Sequence, residues 1–323
     1  MKRSRIVGSG SFLPQKILTN HDLSSLVDTT HEWILARTGI HQRHVAEEGQ
    51  TTSDLAFEAC IRALESAEKS SRDLDFIICA TTTPDQIFPS TGTRLQGALG
   101  MTKGFAMDVQ AACSGFIYAL AIANNFITSG QAQRGLVVGA ETMTKLLDWT
   151  DRSTAILFGD GAGAVVLEAQ EGDGSLEDYG VLRTFLHSDG QFNSILQMTG
   201  GPGSTKSIGS MVMHGQDVFR HAVEKLGAAI EEMLAHSNLT AADIDWFVPH
   251  QANERIIDAL LKRFSFPAEK VIKTVGLHAN TSAASIPLAL DTAVKDGRIK
   301  KGDLVLLDAL GAGLTWGSAL LRW

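Results

Sequence analysis

Two stretches of the chain, about 170 residues apart, carry similar patterns in the same order. DLDF at 73–76 is matched by DIDW at 243–246, and CSGFIYALAIANNFITSG at 113–130 aligns with NTSAASIPLALDTAVKDG at 280–297. Each of the two longer segments is followed, after a short turn, by an apolar run, LVVGAE or LVLLDA. Self-similarity in a constant order indicates a duplicated structural unit. We therefore expect two similar halves that pack against each other.

A third match marks the ends of the two halves. GDGAGAVVLEA at 159–169 resembles GAGLTWGSALLRW at 311–323. This divides the chain into an N-terminal half, residues 1–170, and a C-terminal half, residues 171–323. In both halves, short apolar runs typical of buried strands alternate with longer helical patterns, which predicts an α/β fold with helix-covered sheets. The predicted strands are 75–82, 135–141, 164–169, 245–250 and 303–309, and the predicted helices are 52–67, 114–129, 216–236, 252–264 and 283–296.

Charge and cysteine usage narrow the possible partners and the compartment. The formal net charge of −8 disfavours general binding to nucleic acid or anionic membranes. We find no apolar stretch of signal-peptide length at the N-terminus and no run of 18 apolar residues. The three cysteines are an odd, sparse set, which is typical of reduced thiols in the cytoplasm.

Cys113, in DVQAACSGFIY, is the candidate nucleophile. Cys60 and Cys79 lie on the apolar side of a predicted helix and inside a predicted strand, so we interpret both as small buried hydrophobic residues. Cys113 instead precedes a helix that is apolar nearly all round, and its small neighbours leave room for a substrate. The positive end of that helix is expected to lower the pKa of the thiol. The alternative is a third buried structural thiol, since free cysteine is among the most buried residue types.

His250 and Asn280 are the residues that the repeat places near Cys113. The alignment sets Asn280 opposite Cys113, each just before a helix, and sets His250 opposite the TTTP loop at 81–84. Ends of strands and starts of helices on one face commonly form ligand sites in α/β sheets. A core histidine and a helix-capping asparagine are the alternatives. We assign the capping role to Thr281 or Ser282, which leaves the Asn280 amide free.

A Cys–His–Asn set serves two kinds of chemistry. In a papain-like hydrolase, histidine deprotonates the cysteine and asparagine orients the histidine. In a thioester enzyme, the cysteine takes an acyl group while histidine and asparagine donate hydrogen bonds to a developing enolate oxygen. Local spacing does not separate the two. The chain carries no dinucleotide-binding, Walker A or zinc-ligand spacing, so we expect neither a bound cofactor nor a metal.

The chain resembles the β-ketoacyl-acyl carrier protein synthase III family of thiolase-fold condensing enzymes. DVQAACSGF, VPHQAN, HANTSAASIP and the terminal GAGLTWGSALLRW carry the resemblance, together with TTHEWI, RTGI, TTTPD, FPST and FGDGAGAVVL. The resemblance implies a five-layered α-β-α-β-α fold of two pseudo-duplicated halves. It also implies an acyltransferase that condenses a short acyl-CoA primer, expected to be acetyl-CoA, with malonyl-acyl carrier protein. Loss of carbon dioxide would give 3-ketoacyl-acyl carrier protein and start fatty acid synthesis.

The same resemblance implies roles for further residues. The oxyanion hole would be the N–H groups of Cys113 and Ala312, and Phe88 would close the acyl pocket of a neighbouring subunit in a homodimer. The positions that bind CoA in the family correspond to Trp33, Arg37, Arg152 and Asn253. The basic patch that receives the carrier protein corresponds to Arg220, Arg255, Lys262 and Arg263.

Some positions depart from the family pattern. The final loop reads GAG followed by Leu314, Leu310 stands where an aromatic residue is typical, and HAN replaces HGN. The glycine-, serine- and methionine-rich stretch 187–215 is typical of a mobile loop. A specialised synthase with the same triad and a cysteine acyl-CoA thioesterase remain as alternative functions.

Overall fold

The computed structural model describes all 323 residues. The strands are β1 (Lys2–Phe12), β2 (Ile17–Thr19), β3 (Gln42–His44), β4 (Phe76–Ala80), β5 (Phe105–Val109), β6 (Arg134–Thr142), β7 (Asp160–Glu171), β8 (Gly180–Ser188), β9 (Leu196–Met198), β10 (Met211–Met213), β11 (Trp246–Pro249), β12 (Leu304–Gly311) and β13 (Thr315–Arg322). The helices are α1 (Asn20–Leu23), α2 (His31–Thr38), α3 (Thr52–Ser66), α4 (Thr91–Ala98), α5 (Gly115–Thr128), α6 (Arg152–Ala155), α7 (Gly215–Ser237), α8 (Glu254–Phe264), α9 (Val275–His278) and α10 (Ser285–Lys295).

The two main sheets have the same strand order. The first sheet runs β1-β7-β6-β4-β5, and the second runs β8-β13-β12-β11. In each sheet two strands that carry the repeat are parallel, β4 with β6 and β11 with β12, while β7 and β13 run antiparallel to them. The counterpart of β5 in the second sheet is reduced to one parallel bridge between Phe247 and Val271. All strands of the first sheet precede residue 172 and all strands of the second follow residue 179.

Alternating side chains divide the core into three apolar layers. On β4, Phe76 and Ile78 face a central cluster that also contains α5, α10 and the inner face of the second sheet. Ile77 and Cys79 face the opposite way, toward α3 and α4. On the far side of the second sheet, Phe247 packs with residues of α7 and α8. Since a strand turns successive side chains to opposite faces, sheets covered on both sides give the five-layered α-β-α-β-α arrangement.

From β4 to β6 in the first half and from β11 to β12 in the second, the repeat holds at a uniform spacing of 170 residues, and this corrects the alignment made from the sequence. A short 3-10 helix, Ala112–Ser114, precedes α5, and its counterpart Ser282–Ala284 precedes α10. The first residues of these 3-10 helices share an unusual left-handed backbone, with φ of 47° at Ala112 and 49° at Ser282. Cys113 therefore corresponds to Ala283 and not to Asn280. The counterpart of His250 is Ala80, the last residue of β4, one position before the TTTP loop.

The predicted helices and strands are observed with ends shifted by a few residues. The start of α3 is set by a capping box, in which Thr51 and Asp54 satisfy each other's backbone N–H groups. The stretch 187–215, predicted to be a mobile loop, is more regular than expected. It contains the end of β8, a 3-10 helix Gly190–Ile195 and the hairpin of β9 and β10. The two strands of the hairpin satisfy each other's backbone N–H and C=O groups. None of the helices combines the length and apolar character that crossing a membrane requires.

Candidate active site

Cys113 lies at the junction between the two halves, in the turn that starts α5. Only 8% of the residue is exposed. Burial raises the pKa of its thiol to about 12, and a hydrogen bond with the Ser282 side chain lowers it only in part. The predicted lowering of the thiol pKa by the helix is therefore wrong for the free protein, because desolvation disfavours the thiolate more strongly than nearby donors favour it. Cys113 is a thiol until something removes its proton.

A buried carboxylate, Glu141, lies close to this thiol. It is the penultimate residue of β6, a strand that is buried along nearly its whole length. It accepts hydrogen bonds from the Thr82 N–H at 3.1 Å and from the Thr83 hydroxyl at 2.6 Å. Its negative charge further raises the pKa of Cys113, and the Ser282 side chain lowers the pKa of both groups. Glu141 was not among the residues predicted from the sequence. A strand ending in an acidic residue, LVVGAE, was the available signal.

His250 follows β11 and is held in one orientation. The Nδ1 atom of its ring lies 2.6 Å from the Ser285 hydroxyl, and its backbone N–H donates to the Asp308 backbone carbonyl at 2.7 Å. Burial lowers the pKa of His250 to about 3, so the imidazole is neutral at neutral pH. Ser285 Oγ also accepts the Gln251 N–H at 3.3 Å, which leaves its own proton free to point at Nδ1. A hydroxyl both donates and accepts, so Ser285 supports either tautomer of the ring.

Asn280 comes from the segment between α9 and the 3-10 helix that precedes α10. Its backbone is clamped to the loop after α6: its N–H donates to the Leu157 carbonyl at 2.9 Å, and its carbonyl accepts from Gly159 at 3.0 Å. The carboxamide oxygen accepts the Ser282 N–H at 2.9 Å. Asn280 itself therefore caps this turn, and not Thr281 or Ser282 as predicted. Its amide N–H₂ donates to no group of the protein, in agreement with the prediction that the amide is free.

Cys113, His250 and Asn280 line one cavity of about 130 Å³. The other walls of this narrow cavity are mainly apolar side chains of α7 and α8, with Leu310 beside the three polar residues. A second, wider cavity of about 720 Å³ also reaches Cys113. Its walls include the loop after β4, the hairpin of β9 and β10, and the turn after β12. The sulfur thus lies where two cavities meet, with His250 and Asn280 in the narrow one only.

The turn between β12 and β13 packs its backbone against the nucleophile. A Cβ atom added to Gly311 would lie 2.6 Å from the Cys113 N atom, so only glycine allows this approach. The Thr315 hydroxyl lies 2.9 Å from the Ala111 carbonyl and 3.0 Å from the Ala312 carbonyl, which fixes the turn on the residues before Cys113. The Ala312 N–H donates to no group within the protein. It is thus available as a donor in the turn that packs against Cys113.

The residues predicted to bind CoA fall into two places. Trp33, on α2, has the Arg37 guanidinium 4.1 Å from its ring centroid and that of Arg152 4.6 Å away. Arg152 also donates to the Asp28 carbonyl at 3.0 Å. Asn253 lines the narrow cavity, where its side chain caps α8 by accepting the Arg255 N–H at 2.9 Å. The indole and the two guanidinium groups are planar groups of the kind that stack on a flat ring.

The four basic residues predicted to receive the carrier protein are all exposed on α7 and α8, but they differ in freedom. Arg263 is bound to Glu231 at 2.8 Å and to the Val223 carbonyl at 3.2 Å. Arg220 pairs with Asp217 at 2.9 Å, and Arg255 lies over the Phe219 ring at 5.6 Å. Lys262 forms no ion pair. Exposed pairs of this kind are weak, so Arg220 and Arg255 can exchange partners, whereas Arg263 is more firmly held.

Phe88 does not line either cavity of its own chain. It is 81% exposed, and its neighbour Ile87 is 71% exposed while also lining the wide cavity. Two adjacent bare hydrophobic side chains at a cavity rim are unusual on a surface that faces only water. The exposure of Phe88 is therefore compatible with a contact to a second subunit.

The hydrogen bonds argue against a papain-like arrangement. There, asparagine would orient the histidine, but here Ser285 does so, and the Asn280 oxygen is occupied by the Ser282 N–H. His250 and Asn280 instead offer two separate neutral N–H donors to the same cavity. Such a pair suits a developing enolate oxygen. Ser285 was not predicted, although it lies in the NTSAAS run, because its contact with His250 joins residues that are 35 positions apart.

Comparison with known proteins agrees with this geometry. Residues 107–190 match the family described as 3-oxoacyl-[acyl-carrier-protein] synthase III, and residues 234–323 match its C-terminal region. The chain is 59% identical, over 99% of both chains, to beta-ketoacyl-[acyl-carrier-protein] synthase III of Paramagnetospirillum magneticum.

Solved structures agree over the same length. The 3-oxoacyl-[acyl-carrier-protein] synthase III of Aquifex aeolicus matches with a TM-score of 0.93 and 43% identity, covering 99% of this chain and all of the other. The priming beta-ketosynthase of the R1128 polyketide pathway has the same TM-score at 36% identity, covering 99% and 96%. Since sequence and fold agree from end to end, the chain belongs to the 3-oxoacyl-[acyl-carrier-protein] synthase III family of thiolase-fold condensing enzymes.

Proposed function

We propose that this protein is an acyltransferase that condenses an acyl-CoA primer with malonyl-acyl carrier protein, with loss of carbon dioxide, to start fatty acid synthesis. The observation that carries the proposal is the pair of neutral donors, His250 and Asn280, in a cavity that Cys113 also lines. Acetyl-CoA is the proposed primer. The reaction needs no cofactor beyond the CoA thioester itself, and three free buried thiols support a reducing, cytoplasmic location.

In the first half-reaction, Cys113 attacks the carbonyl carbon of the acyl-CoA. A carbon–sulfur bond forms to Cys113, the bond to the CoA sulfur breaks, and the thiol proton leaves with CoA. Because burial raises the pKa of Cys113 to about 12, the proton must be removed as the bond forms, and Nε2 of the neutral His250, which lines the same cavity, would pass it on to the departing CoA sulfur. The N–H groups of Cys113 and Ala312 would stabilise the oxyanion.

In the second half-reaction, malonyl-acyl carrier protein replaces CoA in the narrow cavity. Nε2–H of His250 and the amide of Asn280 donate to its thioester oxygen. Carbon dioxide leaves, and the enolate carbon attacks the acyl carbon on Cys113, which departs as a thiolate and takes a proton from water. Neutral donors suit this step, since both are in place before charge develops.

The outer residues fit the delivery of both substrates. Trp33 with Arg37 and Arg152 would hold the adenine and phosphates of CoA, and Asn253 would contact its arm in the narrow cavity. Arg220, Arg255 and Lys262, with Arg263 behind them, would attract the acidic carrier protein to the mouth of that cavity. Charged patches of this type raise association rates more than they raise affinity.

We also propose a homodimer, in which Phe88 of each subunit closes the wide cavity of the other. Exposed Phe88 and Ile87 support this, as does the open edge of β5, where Phe105 is 37% exposed. An uncovered strand edge next to apolar side chains is a natural pairing surface. Light scattering on the purified protein should give a mass of two chains, and a single-chain mass would contradict the dimer.

The experiment that tests the proposed function is intact-mass analysis after mixing the protein with a panel of acyl-CoAs. We expect one acyl group on the wild-type chain and none on Cys113→Ser. Cys60 and Cys79 are internal controls, because each is fully buried away from both cavities. Adding malonyl-acyl carrier protein should discharge the acyl group as 3-ketoacyl-acyl carrier protein, and the panel identifies the preferred primer.

Two other results would redirect the assignment. Hydrolysis of acyl-CoA without malonyl-acyl carrier protein would indicate the thioesterase. Discharge only to a carrier protein from another pathway would favour a specialised synthase, of which the polyketide priming enzyme above is an example in this fold. No adduct with any chain length would contradict a covalent mechanism through Cys113.

A further inference from the structure

Lys225, on α7, brings three segments of the C-terminal half together. Its ammonium group lies 3.5 Å from a carboxylate oxygen of Asp189, just after β8. The same group lies 4.4 Å from the ring centroid of Trp316 on β13 and 5.1 Å from that of Phe192. Only 15% of the lysine side chain is exposed, so the cation is largely enclosed by an acidic group and two aromatic faces. Such partners hold an ammonium group more strongly the less water reaches it.

Two of these partners connect the lysine to the turn between β12 and β13. The Asp189 N–H donates to the Leu314 carbonyl at 2.8 Å, and the Leu314 N–H donates back to the Asp189 carbonyl at 2.9 Å. Trp316 leaves the turn on the other side and pairs with His187 of β8. The imidazole of His187 stacks on the Trp316 ring, with centroids 5.4 Å apart. Lys225 therefore contacts Trp316, which follows the turn, and Asp189, whose backbone is bonded to Leu314 within the turn.

The turn in question is the one that carries the Ala312 N–H. It is fixed to the residues before Cys113 through Thr315, whose hydroxyl also accepts from Ser114 at 2.9 Å. A shift of β13 or of the Asp189 segment would move Ala312 relative to the sulfur. Donors of an oxyanion hole work only when they are held in place beforehand, and a displacement of about 1 Å is enough to weaken them.

We propose that Lys225 is a positioning residue of the oxyanion turn: its cation holds Asp189 and Trp316 so that the Ala312 N–H stays aimed at the carbonyl oxygen of the acyl group on Cys113. This inference rests on the proposed function. Lys225 lines neither cavity, so it acts through the turn and not by touching substrate. An apolar residue of the same length would fill the space but leave the Asp189 carboxylate without its cation.

The test compares Lys225→Met, which keeps the length and removes the charge, with Lys225→Arg, which restores a cation. The matched control is Lys301→Met, which removes a cation 5.5 Å from the Tyr179 ring, before the start of β12 and so at the far end of that strand. The rate of acyl transfer to Cys113 is measured by quenched intact mass at several acyl-CoA concentrations. We expect Lys225→Met to lower the maximal rate about 10-fold, with the half-saturating concentration changed less than about twofold. Lys225→Arg should recover most of the rate, and Lys301→Met should match the wild type.

Hydrogen exchange gives a second readout that does not depend on activity. Amides of residues 311–316 and 189–192 should exchange faster in Lys225→Met, while α5 and α10 should be unchanged. Wild-type acylation rates in Lys225→Met, or unchanged exchange at the turn, would overturn the inference. Equal loss in Lys225→Arg and Lys225→Met would also overturn it, since the cation would then not matter. If the wild-type protein takes no acyl group, the proposed function is contradicted. Hydrogen exchange at residues 311–316 would still show whether Lys225 positions the turn.

Discussion

The turn that starts α5 and the turn that starts α10 have the same backbone and different chemistry. Both begin with a left-handed residue, pass through a 3-10 helix and continue into a central helix. In the second half, the first residue of the helix, Ser285, touches His250 at the end of β11. In the first half, the matching residue Gly115 lies against Ala80 at the end of β4, where an added Cβ would come within 3.1 Å of the Ala80 Cβ.

This difference teaches how a duplicated scaffold becomes one asymmetric site. The first half supplies the nucleophile, and its counterparts to His250 and Ser285 are the inert Ala80 and Gly115. The second half supplies the donors, and its counterpart to Cys113 is Ala283. Each half leaves out the groups that the other provides, so the site exists only where the two turns meet. We therefore expect function to depend on a few side chains that differ between the halves. The left-handed conformation at Ala112 and at Ser282 should cost both halves the same free energy.

The largest effect is expected from replacing the donors of the second half. Asn280→Ala removes one of the two N–H groups and should lower 3-ketoacyl formation by about 10²–10³-fold, while acyl-Cys113 still forms. His250→Ala should slow both half-reactions, since the imidazole also accepts the thiol proton. Single-turnover mass analysis with preformed acyl-enzyme separates the two steps.

The control for this prediction is Gln110→Ala, because Gln110 is the counterpart of Asn280 in the first half. Gln110 lines the wide cavity and lies outside the narrow one. Its replacement should cost less than about 10-fold, as expected for a residue that shapes a cavity without donating to the enolate. A loss as large as that of Asn280→Ala would show that the halves share the chemistry more evenly.

A smaller effect is expected on stability as the pH falls. Burial lowers the pKa of His250 to about 3, from an ordinary value of 6.5. The unfolded chain takes up this proton below pH 6.5 and the folded chain does not, so the stability from His250 is complete above pH 6.5 and is lost as the pH falls toward 3. Between pH 7.5 and 5.5 the loss should be about 1.4 kcal/mol.

Urea unfolding of the wild type and of His250→Gln at these two pH values measures the difference. The variant should lose less stability on acidification than the wild type, by about the same 1.4 kcal/mol. His214→Gln, at an exposed histidine, is the matched control and should follow the wild type. Identical pH dependence of wild type and His250→Gln would contradict a buried neutral imidazole.

The smallest effect concerns the backbone that the halves share. A left-handed conformation costs a residue with a side chain about 1 kcal/mol, which glycine avoids. Ala112→Gly should therefore raise the free energy of unfolding by about 0.5–1 kcal/mol. Ser282→Gly, compared with Ser282→Ala so that the hydroxyl is lost in both, should give the same gain. Ala111→Gly, where φ is −145°, should not stabilise. Unequal gains would mean that one turn is more strained.

Much of the fold was predictable from patterns along the chain. The alternation of apolar strands and helices, the two halves and the family were all correct, because they depend on sequence order and local periodicity. The phase of the repeat was wrong by three residues. Aligning CSGF with NTSA matched polar residues, whereas the structure matches Ala112 with Ser282, whose shared feature is a backbone angle and not a side-chain type.

The site was predictable in its residues and less so in its electrostatics. Cys113, His250 and Asn280 do line one cavity. Burial raises the pKa of the thiol, whereas the prediction was a lowered pKa. The start of the helix is visible in the sequence, but the extent of burial arises only in the packed molecule. Ser285 and Lys225 were missed for a related reason. Each acts through a partner far along the chain, Ser285 through His250 and Lys225 through Asp189, and such pairs leave no local pattern.

The meeting of two cavities at one sulfur has a kinetic consequence. An acyl chain resting in the wide cavity leaves the narrow one empty, so the first product can depart before the second substrate arrives. The enzyme would then alternate between a form with a free Cys113 and a form with an acylated Cys113, and its initial rates would give parallel lines in a double-reciprocal plot. CoA and the carrier protein would occupy the narrow cavity in turn, so that an excess of either would inhibit by binding to the wrong form. The geometry of the cavities would thus set the order in which the reaction proceeds.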